Sequence, residues 1–506
     1  MKKLFLTLST IAIAMSSAFS QNINGASAAN MKNNVDAVKA KIEKNNTDIE
    51  NPKNAAKVAA WESRGKLFME AASVNTKGIS AGMQAAKSSN IMDVNNLEVL
   101  VGAPAEKKQS DQYEIWVYPT INIYVQNNQV QFWEETYPAD KDALGNAVKS
   151  YRKACELDTK GSFKSKKTTV EAIRNIRLAY TNNGINKYFL GKYNEAATDF
   201  ESALALSDFP KAANDTAKIE GMIAFYGGLS SFQAGDKSKA EKMFNESINL
   251  NYEIGKCYHY IFQIRMDEGK SDEALKIIQN AYEKYPQEES LLYDVINYYT
   301  SQKEFDKAET YLNKAIEKYP DNLSVFGVKG SIYVENYTKL KDNYLATRNQ
   351  ADSLKKLAFK NRNNKSENDR LTAEENAKKQ EAAEIKEQYN VFMSKADQTY
   401  NDILAKDPKY FDAYFSLGIV YYDKSDMAGQ EANLIPFSED KDGSKAAVKI
   451  AEQKEAFKKS AEYFEKALEI QPNNVNVLTN LRMLYTKLGE YDKSKAMKQR
   501  LEELGQ

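Results

Sequence analysis

The chain has 506 residues and carries 70 basic and 70 acidic side chains, so its formal net charge is zero. That balance gives no reason to expect a nucleic acid or an anionic membrane as a partner. The single histidine, His259, excludes an H-E-x-x-H zinc site and any histidine-rich metal cluster. Neither G-x-S-x-G nor G-x-G-x-x-G occurs, so the sequence predicts no enzyme, no cofactor and no metal site. The 22 glycines and 10 prolines are few for this length, which favours a helical fold.

The first 20 residues have the pattern of a signal peptide. Two lysines precede the apolar stretch 4–15, which is too short to span a bilayer. Cleavage is expected between Ser20 and Gln21, with a cut after Ala28 as the alternative. No cysteine lies near either site, and no second apolar run reaches transmembrane length. We therefore expect an exported protein, periplasmic or secreted, that is soluble and not lipidated.

The next part of the chain combines helices with one short β segment. Residues 21–54 are polar, and we expect this segment to be mobile at its start. Residues 55–160 are predicted to form a first helix pair that is split by an α+β insert at about 75–140. Apolar and polar residues alternate in this insert, and Asn127-Asn128 suits a two-residue hairpin turn. The predicted helices are 55–70 and 143–157, and the predicted strands are 114–118, 121–126 and 129–134.

Across residues 169–320, landmark residues recur at an interval of 34 residues. A small residue where two helices cross lets their axes approach to roughly 8 to 10 Å, and a proline ends the second helix. Helix–turn–helix units of this length stack on one another into a solenoid. The recurring positions are Gly235 and Gly269; Ala240, Ala274 and Ala308; Ala281 and Ala315; and Pro286 and Pro320.

The repeat at 321–408 is lengthened by an insert, about 335–395, that is rich in Lys, Asn, Glu and Ala. This composition predicts two long helices with their turn at 361–369, and Thr372 with Glu375 as a capping box for the second helix. Because apolar residues are sparse there, we expect the tip of this charged helical hairpin to project into solvent.

Residues 409–506 are predicted to hold the C-terminal repeats. An insert at about 423–455 contains a loop rich in Gly, Asp and Lys, and we expect it to be partly irregular. The last repeat ends in a polar helix.

These landmarks resemble the tetratricopeptide repeat (TPR) family. Its first helix carries Leu-Gly and then Tyr, as in Leu417-Gly418 and Tyr421, and its second carries alanines and a final proline, as in Ala308, Ala315 and Pro320. Arg265 departs from the usual tyrosine, and Gly227-Gly228 replaces Leu-Gly. The resemblance implies an all-α solenoid of about seven repeats with a small α+β insertion near the N-terminus. From Leu417 onwards the chain is similar to exported multi-TPR proteins of Gram-negative bacteria.

The β insert allows two interpretations. Residues 100–104, 116–118 and 127–130 resemble the small α+β domain of a lipoprotein family that assembles the outer membrane. The alternative is a hairpin that caps the first repeat and covers its helices.

Two cysteines, Cys155 and Cys257, lie about a hundred residues apart in different repeats. Two separately buried thiols and a disulfide are both compatible with an exported protein.

The resemblance also implies a binding surface, because TPR proteins bind peptides through the second, fifth, ninth and twelfth positions of their first helices. In three repeats of this chain these positions run from apolar to polar. They are Met222, Phe225, Leu229 and Phe232; then Lys256, His259, Gln263 and Met266; then Ser290, Tyr293, Asn297 and Thr300. The alternative is that Met222 and Phe225 pack against a neighbouring helix or the β insert.

The function implied by the resemblance is a non-enzymatic protein-interaction scaffold of the bacterial cell envelope. Its partners would be peptide segments of other envelope or secreted proteins, with no nucleic acid and no membrane span. The alternative is a solute- or glycan-binding protein on a TPR frame, with stacking platforms among the 31 tyrosines and 3 tryptophans. Loss of binding on mutation of the hairpin that carries Trp116 and Trp133 would favour this alternative. The sequence leaves the oligomeric state open.

Overall fold

The computed structural model describes residues 28–86, 96–210, 217–435 and 440–505. Within these ranges the chain forms nineteen α-helices and one four-stranded antiparallel sheet. The predicted all-α solenoid with a small β insertion near the N-terminus is therefore confirmed. The predicted signal peptide, residues 1–20, and its cleavage between Ser20 and Gln21 lie outside the described residues.

The chain is divided into two compact units, and the first unit ends at Leu291. Four helix pairs follow one another in this unit: α3 with α5, α6 with α7, α8 with α9, and α10 with α11. The helices are α1 (Met31–Glu50), α2 (Pro52–Ala55), α3 (Val58–Ser73), α4 (Leu97–Val101), α5 (Ala143–Leu157), α6 (Lys167–Phe189), α7 (Tyr193–Leu204), α8 (Ala217–Gln233), α9 (Lys237–Asn249), α10 (Ile254–Asp267) and α11 (Ser271–Lys284). The strands are β1 (Glu106–Gln109), β2 (Glu114–Val117), β3 (Ile121–Gln126) and β4 (Gln129–Glu135).

Helix α1 lies in the polar segment 21–54, where the sequence analysis does not predict a helix. Its residues Val35, Val38 and Ile42 are buried in the core of the first unit. Spacings of three and four residues place all three on one face of the helix. This face packs against α3 and covers apolar surface of the first pair, as terminal helices of solenoids do.

The sheet pairs β1 to β4 in chain order, each strand antiparallel to the next. Asn127 and Asn128 join β3 to β4 with φ angles of 52° and 58°, which fits the predicted two-residue turn. The three predicted strands are confirmed, with bounds that differ by one residue at most. Strand β1 is exposed along its whole length, so it has no apolar alternation by which the sequence could reveal it.

Both faces of the sheet are packed. Trp116 and Ile123 belong to a core that includes Leu97 of α4. On the opposite face, the ring of Phe132 stacks on Phe189 of α6, with centroids 5.5 Å apart. The sheet thus contacts the second helix pair of the unit, whereas the capping interpretation placed it over the helices of the first.

The second unit runs from Leu292 to Gln506 and also holds four helix pairs. Its first helix begins just before the boundary between the units. The helices, paired in order, are α12 (Glu289–Ser301), α13 (Phe305–Lys318), α14 (Leu323–Lys360), α15 (Lys365–Lys406), α16 (Phe411–Asn433), α17 (Ser444–Ile470), α18 (Val475–Leu488) and α19 (Tyr491–Glu503).

Helices α14 and α15 are continuous over 38 and 42 residues, or roughly 57 Å and 63 Å. The first insert therefore lengthens both helices of one repeat. The predicted capping box at Thr372 and Glu375 is wrong, because both residues lie inside α15. The N-cap is Asn364, whose side-chain oxygen accepts a hydrogen bond of 3.3 Å from the backbone N–H of Glu367.

Helices α16 and α17 extend into the second insert in the same way, so its described backbone is irregular only at residues 434–435 and 440–443. Residues 436–439 lie outside the described residues. The Asp440 carboxylate accepts hydrogen bonds from the backbone N–H groups of Lys445 and Ala446, at 2.9 and 2.8 Å. These bonds satisfy amides at the start of α17.

Five helix pairs share one close contact, in which a glycine of the first helix lies against an aromatic ring of the second. A Cβ built on any of these glycines would come within 2.6 to 2.9 Å of a ring carbon. That is closer than two carbon atoms can approach, so only glycine fits at these positions. The contacts are Gly65 with Tyr151, Gly184 with Phe200, Gly228 with Phe244, Gly330 with Tyr400, and Gly418 with Phe464.

The substitution Gly418→Ala is expected to destabilise the second unit. Its Cβ would meet carbon atoms of the buried Phe464 ring at 2.8 Å. Overpacking of this kind costs about 1 to 3 kcal/mol. Thermal unfolding of the purified chain, followed by circular dichroism, should show the lower midpoint.

Gly327→Ala is the matched control. Gly327 lies in helix α14, and no atom is within 4 Å of the Cβ position. Alanine is favoured over glycine in a helix by about 1 kcal/mol, so this variant should unfold at the same temperature or higher. Equal midpoints for the Gly418 variant and the parent chain would contradict the steric account.

Glu135, the last residue of β4, makes the stability of the first unit depend on pH. Burial raises the pKa of its carboxyl to about 7, against an opposing hydrogen bond from Asn75. Because this folded-state pKa exceeds the ordinary value, stability is full at pH 4 and is lost as the pH rises through 7. Glu135→Gln should therefore raise the unfolding midpoint at pH 8 and leave it nearly unchanged at pH 4.

Tryptophan fluorescence can follow this effect, since all three tryptophans of the chain lie in the first unit. Glu106→Gln, which removes an exposed carboxylate of the same sheet, is the control. A midpoint gain for Glu135→Gln that is equal at both pH values would show that burial does not perturb this carboxyl.

Candidate functional site

Helix α8 holds the apolar part of the predicted binding surface, and this part is covered. Met222, Phe225 and Leu229 are only 4%, 2% and 2% exposed. The ring of Phe225 lies 6.2 Å from that of Phe244 in α9 and 6.0 Å from that of Tyr252, just before α10. These residues therefore form core, as the alternative interpretation holds, and do not line a surface. The reason is that α8 is apolar on all sides and is buried from 220 to 231.

The more polar residues of the predicted binding surface lie on helix α10, and they remain accessible to solvent. Lys256 is exposed, and His259, Gln263 and Met266 are partly buried. The His259 Nε2 and Gln263 Nε2 atoms are 2.9 Å apart in a hydrogen bond. Phe232, at the end of α8, is partly buried, with its ring centroid 5.2 Å from that of Tyr260.

The third predicted set lies on helix α12, and all its residues except Ser290 belong to the second unit. Tyr293 Oη accepts a hydrogen bond of 2.6 Å from the Asn322 side chain. Thr300 donates to the Ile296 carbonyl at 2.8 Å, and Asn297 is exposed. The predicted residues are therefore divided between the two units, and each set has to be considered within its own unit.

Both cysteines are free, so the disulfide alternative is wrong. Cys257 is buried, and burial raises the pKa of its thiol to about 12. The described residues contain no group of three His, Cys, Asp or Glu side chains that could hold a metal ion. In those residues, too, no helix is long and apolar enough to cross a membrane.

The second unit presents an apolar strip that the sequence analysis did not single out. We define it as Phe411, Phe415, Ile419 and Tyr422 of helix α16 together with Met483 of helix α18. Spacings of three and four residues place the four residues of α16 on one face. All five side chains are partly buried, so each is anchored in the unit and also reaches its surface.

Aromatic rings of helix α17 pack against the strip from the interior of the unit. Phe415 makes an edge contact with Phe464 at a centroid distance of 5.5 Å, and Tyr422 lies 6.0 Å from Phe457. The Tyr422 hydroxyl donates to Met483 Sδ at 3.8 Å, which links α16 to α18. The strip is thus held on two helices whose side chains are fixed by packing.

Partly buried charges fix the same helix next to the end of the strip at Tyr422. Lys341 of α14 forms ion pairs with Asp423 at 3.4 Å and with Asp426 at 3.2 Å. Tyr337 donates a hydrogen bond of 2.9 Å to Asp423. Burial alone would lower the pKa of Lys341, but Asp423 and Asp426 raise it above its ordinary value. Such pairs specify how α16 sits on α14, because an unpaired charge at this depth would be costly.

A second ion-pair cluster lies two turns further along α16. Glu431 pairs with Lys386 of α15 and with Lys449 of α17, the latter at 3.3 Å. Burial acts to raise the pKa of Glu431, but the two lysines bring it below its ordinary value. Tyr344 of α14 donates a further hydrogen bond to this carboxylate, at 3.3 Å. Helix α16 is therefore tied to three neighbouring helices.

The sequence did contain a signal for the strip. Gly418 occupies the same repeat position as Gly228, since each lies against the aromatic ring of its partner helix. Gly228 is the eighth position of its repeat when Met222 is the second. With Gly418 as the eighth position, the fifth, ninth and twelfth positions are Phe415, Ile419 and Tyr422. The same count in the three regular repeats gives the predicted binding residues of α8, α10 and α12.

The hairpin offers no stacking platform at Trp116. This side chain is 1% exposed, and its indole N–H donates to Glu114 at 2.8 Å. The ammonium of Lys107 lies 3.8 Å from the ring centroid and covers one face. Trp133 is partly buried against the same core. Trp116 is therefore covered on the sides where a ligand ring would stack.

Models of the tetratricopeptide repeat family match two segments of the chain, residues 265–332 and 446–474. The first segment runs from the end of α10 into α14, and the second lies in α17 and the turn that follows it. No curated protein matches the sequence significantly.

Several solved structures are similar to parts of the chain. The C-terminal part of a TPR repeat-containing protein from Cytophaga hutchinsonii is 14% identical, with 63% of this chain and 92% of that chain covered and a TM-score of 0.35. A TPR repeats protein from Bacteroides fragilis is 15% identical, with 62% and 98% covered and a TM-score of 0.27. YrrB, a TPR protein with an unusual peptide-binding site, is 22% identical, with 37% and 83% covered and a TM-score of 0.23. The family-model matches, together with the stacked helix pairs, show that the chain contains tetratricopeptide repeats.

Proposed function

We propose that this protein is a non-enzymatic interaction scaffold that holds a peptide segment of another protein on the apolar strip of its second unit. The observation that carries the proposal is the strip itself, a row of partly buried apolar side chains on first-helix positions. TPR proteins in general are scaffolds for protein interactions, and they bind peptides through these positions.

The chemistry of the strip indicates what kind of segment would bind. Phe411, Phe415, Ile419 and Met483 offer aromatic, aliphatic and thioether surface and no charge. A ligand gains affinity there by burying its own apolar side chains, at about 25 cal/mol per Å² of apolar surface. Part of this gain offsets the entropy that the peptide loses on binding. An affinity in the micromolar range, about −8 kcal/mol, is expected for one short segment.

The rigidity of α16 supports the same proposal. Its strip is fixed by rings of α17, and the helix beyond the strip is fixed by the ion pairs of Lys341 and Glu431. A surface that is already ordered loses little further entropy when it binds. The predicted signal peptide makes other envelope or secreted proteins the proposed source of the segment.

Selection from a display library of random peptides of about twelve residues, with the whole chain as bait, tests the proposal. Selected peptides should be enriched in apolar residues. The double variant Ile419→Gln with Met483→Gln should weaken their binding about tenfold or more, because it puts polar groups where apolar contact is needed. Fluorescence anisotropy of a labelled peptide measures the change.

The matched control is Val448→Gln with Ile450→Gln. Both residues are more than half exposed on helix α17, outside the strip. This variant loses the same number of apolar side chains and should bind like the parent chain. Equal weakening in both variants, or in neither, would contradict a binding site at the strip, provided that circular dichroism shows both to be folded.

A further inference from the structure

The end of the long hairpin formed by α14 and α15 is an unusual part of the surface. We call residues 353–366 the hairpin tip; it comprises the last turns of α14, the connection and the first two residues of α15. Its large apolar side chains Leu357 and Phe359 are 46% and 68% exposed. Single exposed apolar residues are common on protein surfaces, so these two are informative only together with the charges around them.

The tip lies at the far end of the hairpin, where Ala358 of α14 and Leu371 of α15 are still buried. Tyr344 is the last buried aromatic residue of α14, and Lys360 lies roughly 24 Å beyond it along the helix. Between them only the small residues Thr347, Ala351 and Ala358 of α14 are buried. The tip is therefore held at a distance by a pair of helices whose far ends are anchored in the second unit.

Cations surround the two apolar side chains. Lys356, Lys360, Arg362 and Lys365 are all exposed, and the tip contains no Asp or Glu. Among the described residues none of these four forms an ion pair with a carboxylate, whereas Arg370, just outside the tip, pairs with two glutamates. The zero net charge of the whole chain conceals this local excess of positive charge.

We infer that the hairpin tip docks on the surface of a lipid bilayer that contains anionic lipids. The four cations, which have no carboxylate partner, match lipid phosphates, and the apolar side chains match the boundary between headgroups and acyl chains. The Arg362 guanidinium lies 4.7 Å from the ring centroid of Phe359, so it would accompany that ring to the headgroups. Leu357 and Phe359 are two residues apart, so their side chains leave the helix about 200° from each other. A protein groove contacts one face of a helix, whereas a bilayer surrounds a tip that enters end-on and receives both side chains.

Sedimentation with vesicles tests this inference on the whole chain. The vesicles contain phosphatidylcholine and phosphatidylglycerol at a ratio of about three to one, and pure phosphatidylcholine vesicles serve as reference. Neutralising Lys356, Lys360 and Lys365 with glutamine should weaken binding to the anionic vesicles roughly 100-fold, since each cation contributes about fivefold. Phe359→Gln should weaken it about tenfold, because the apolar insertion is lost.

Two control variants make the same kinds of substitution at places outside the hairpin tip. One replaces Lys409, Lys441 and Lys454, which are exposed and form no ion pair among the described residues, with glutamine. The other is Val391→Gln, which removes an apolar side chain that is 49% exposed on the stem. Both should bind anionic vesicles like the parent chain.

Three outcomes would overturn the inference. They are no binding of the parent chain to anionic vesicles, equal binding to both vesicle types, and loss of binding in the lysine variant but not in Phe359→Gln. The last would indicate an acidic macromolecule as partner, since adsorption by charge alone does not need the phenyl ring. The strip variant Ile419→Gln with Met483→Gln should still bind vesicles, so this test is independent of the proposed peptide site.

Discussion

The contact between a glycine and an aromatic ring sets how closely the two helices of a repeat can pack, and much of each unit follows from it. Where the ring of Phe464 lies against Gly418, helix α17 lies directly on α16. The close approach of the two helices determines how far the apolar residues on either side of the glycine are buried. Leu417 is buried in the core, while Phe415 and Ile419 are pushed towards the edge and stay partly exposed. One steric constraint therefore accounts for both the packing of the repeat and the position of the strip.

The same repeat plan tolerates large additions because they lengthen helices and leave the contact between them unchanged. Gly330 and Tyr400 pack near the base of the hairpin, so α14 and α15 extend beyond it as a helical pair. The partly buried pairs of Lys341 with Asp423 and of Lys386 with Glu431 then hold the hairpin against α16. Such charges stabilise little by themselves, but they penalise any other alignment of the helices. In this account the strip and the hairpin tip are two surfaces on one firmly aligned frame.

Much of the fold could be predicted because the residues that define it recur. Ala240, Ala274 and Ala308 are all completely buried, as their interval of 34 residues implies. Helix α1 escaped prediction because its few apolar residues are scattered among lysine and asparagine. The binding surface was only partly predictable. A repeat position tells which way a side chain points, but not whether another segment covers it, as Tyr252 covers Phe225. The strip, at equivalent positions, is left partly uncovered.

Hydrogen–deuterium exchange of the whole chain, with and without a peptide selected on it, tests the central claim most directly. It compares the strip, the polar face of α10, the sheet and the hairpin tip in one experiment. The account predicts slower exchange in α16 and α18 when the peptide is bound, and unchanged exchange in the other three regions. Protection confined to α10, the sheet or the tip, with α16 and α18 unchanged, would contradict it.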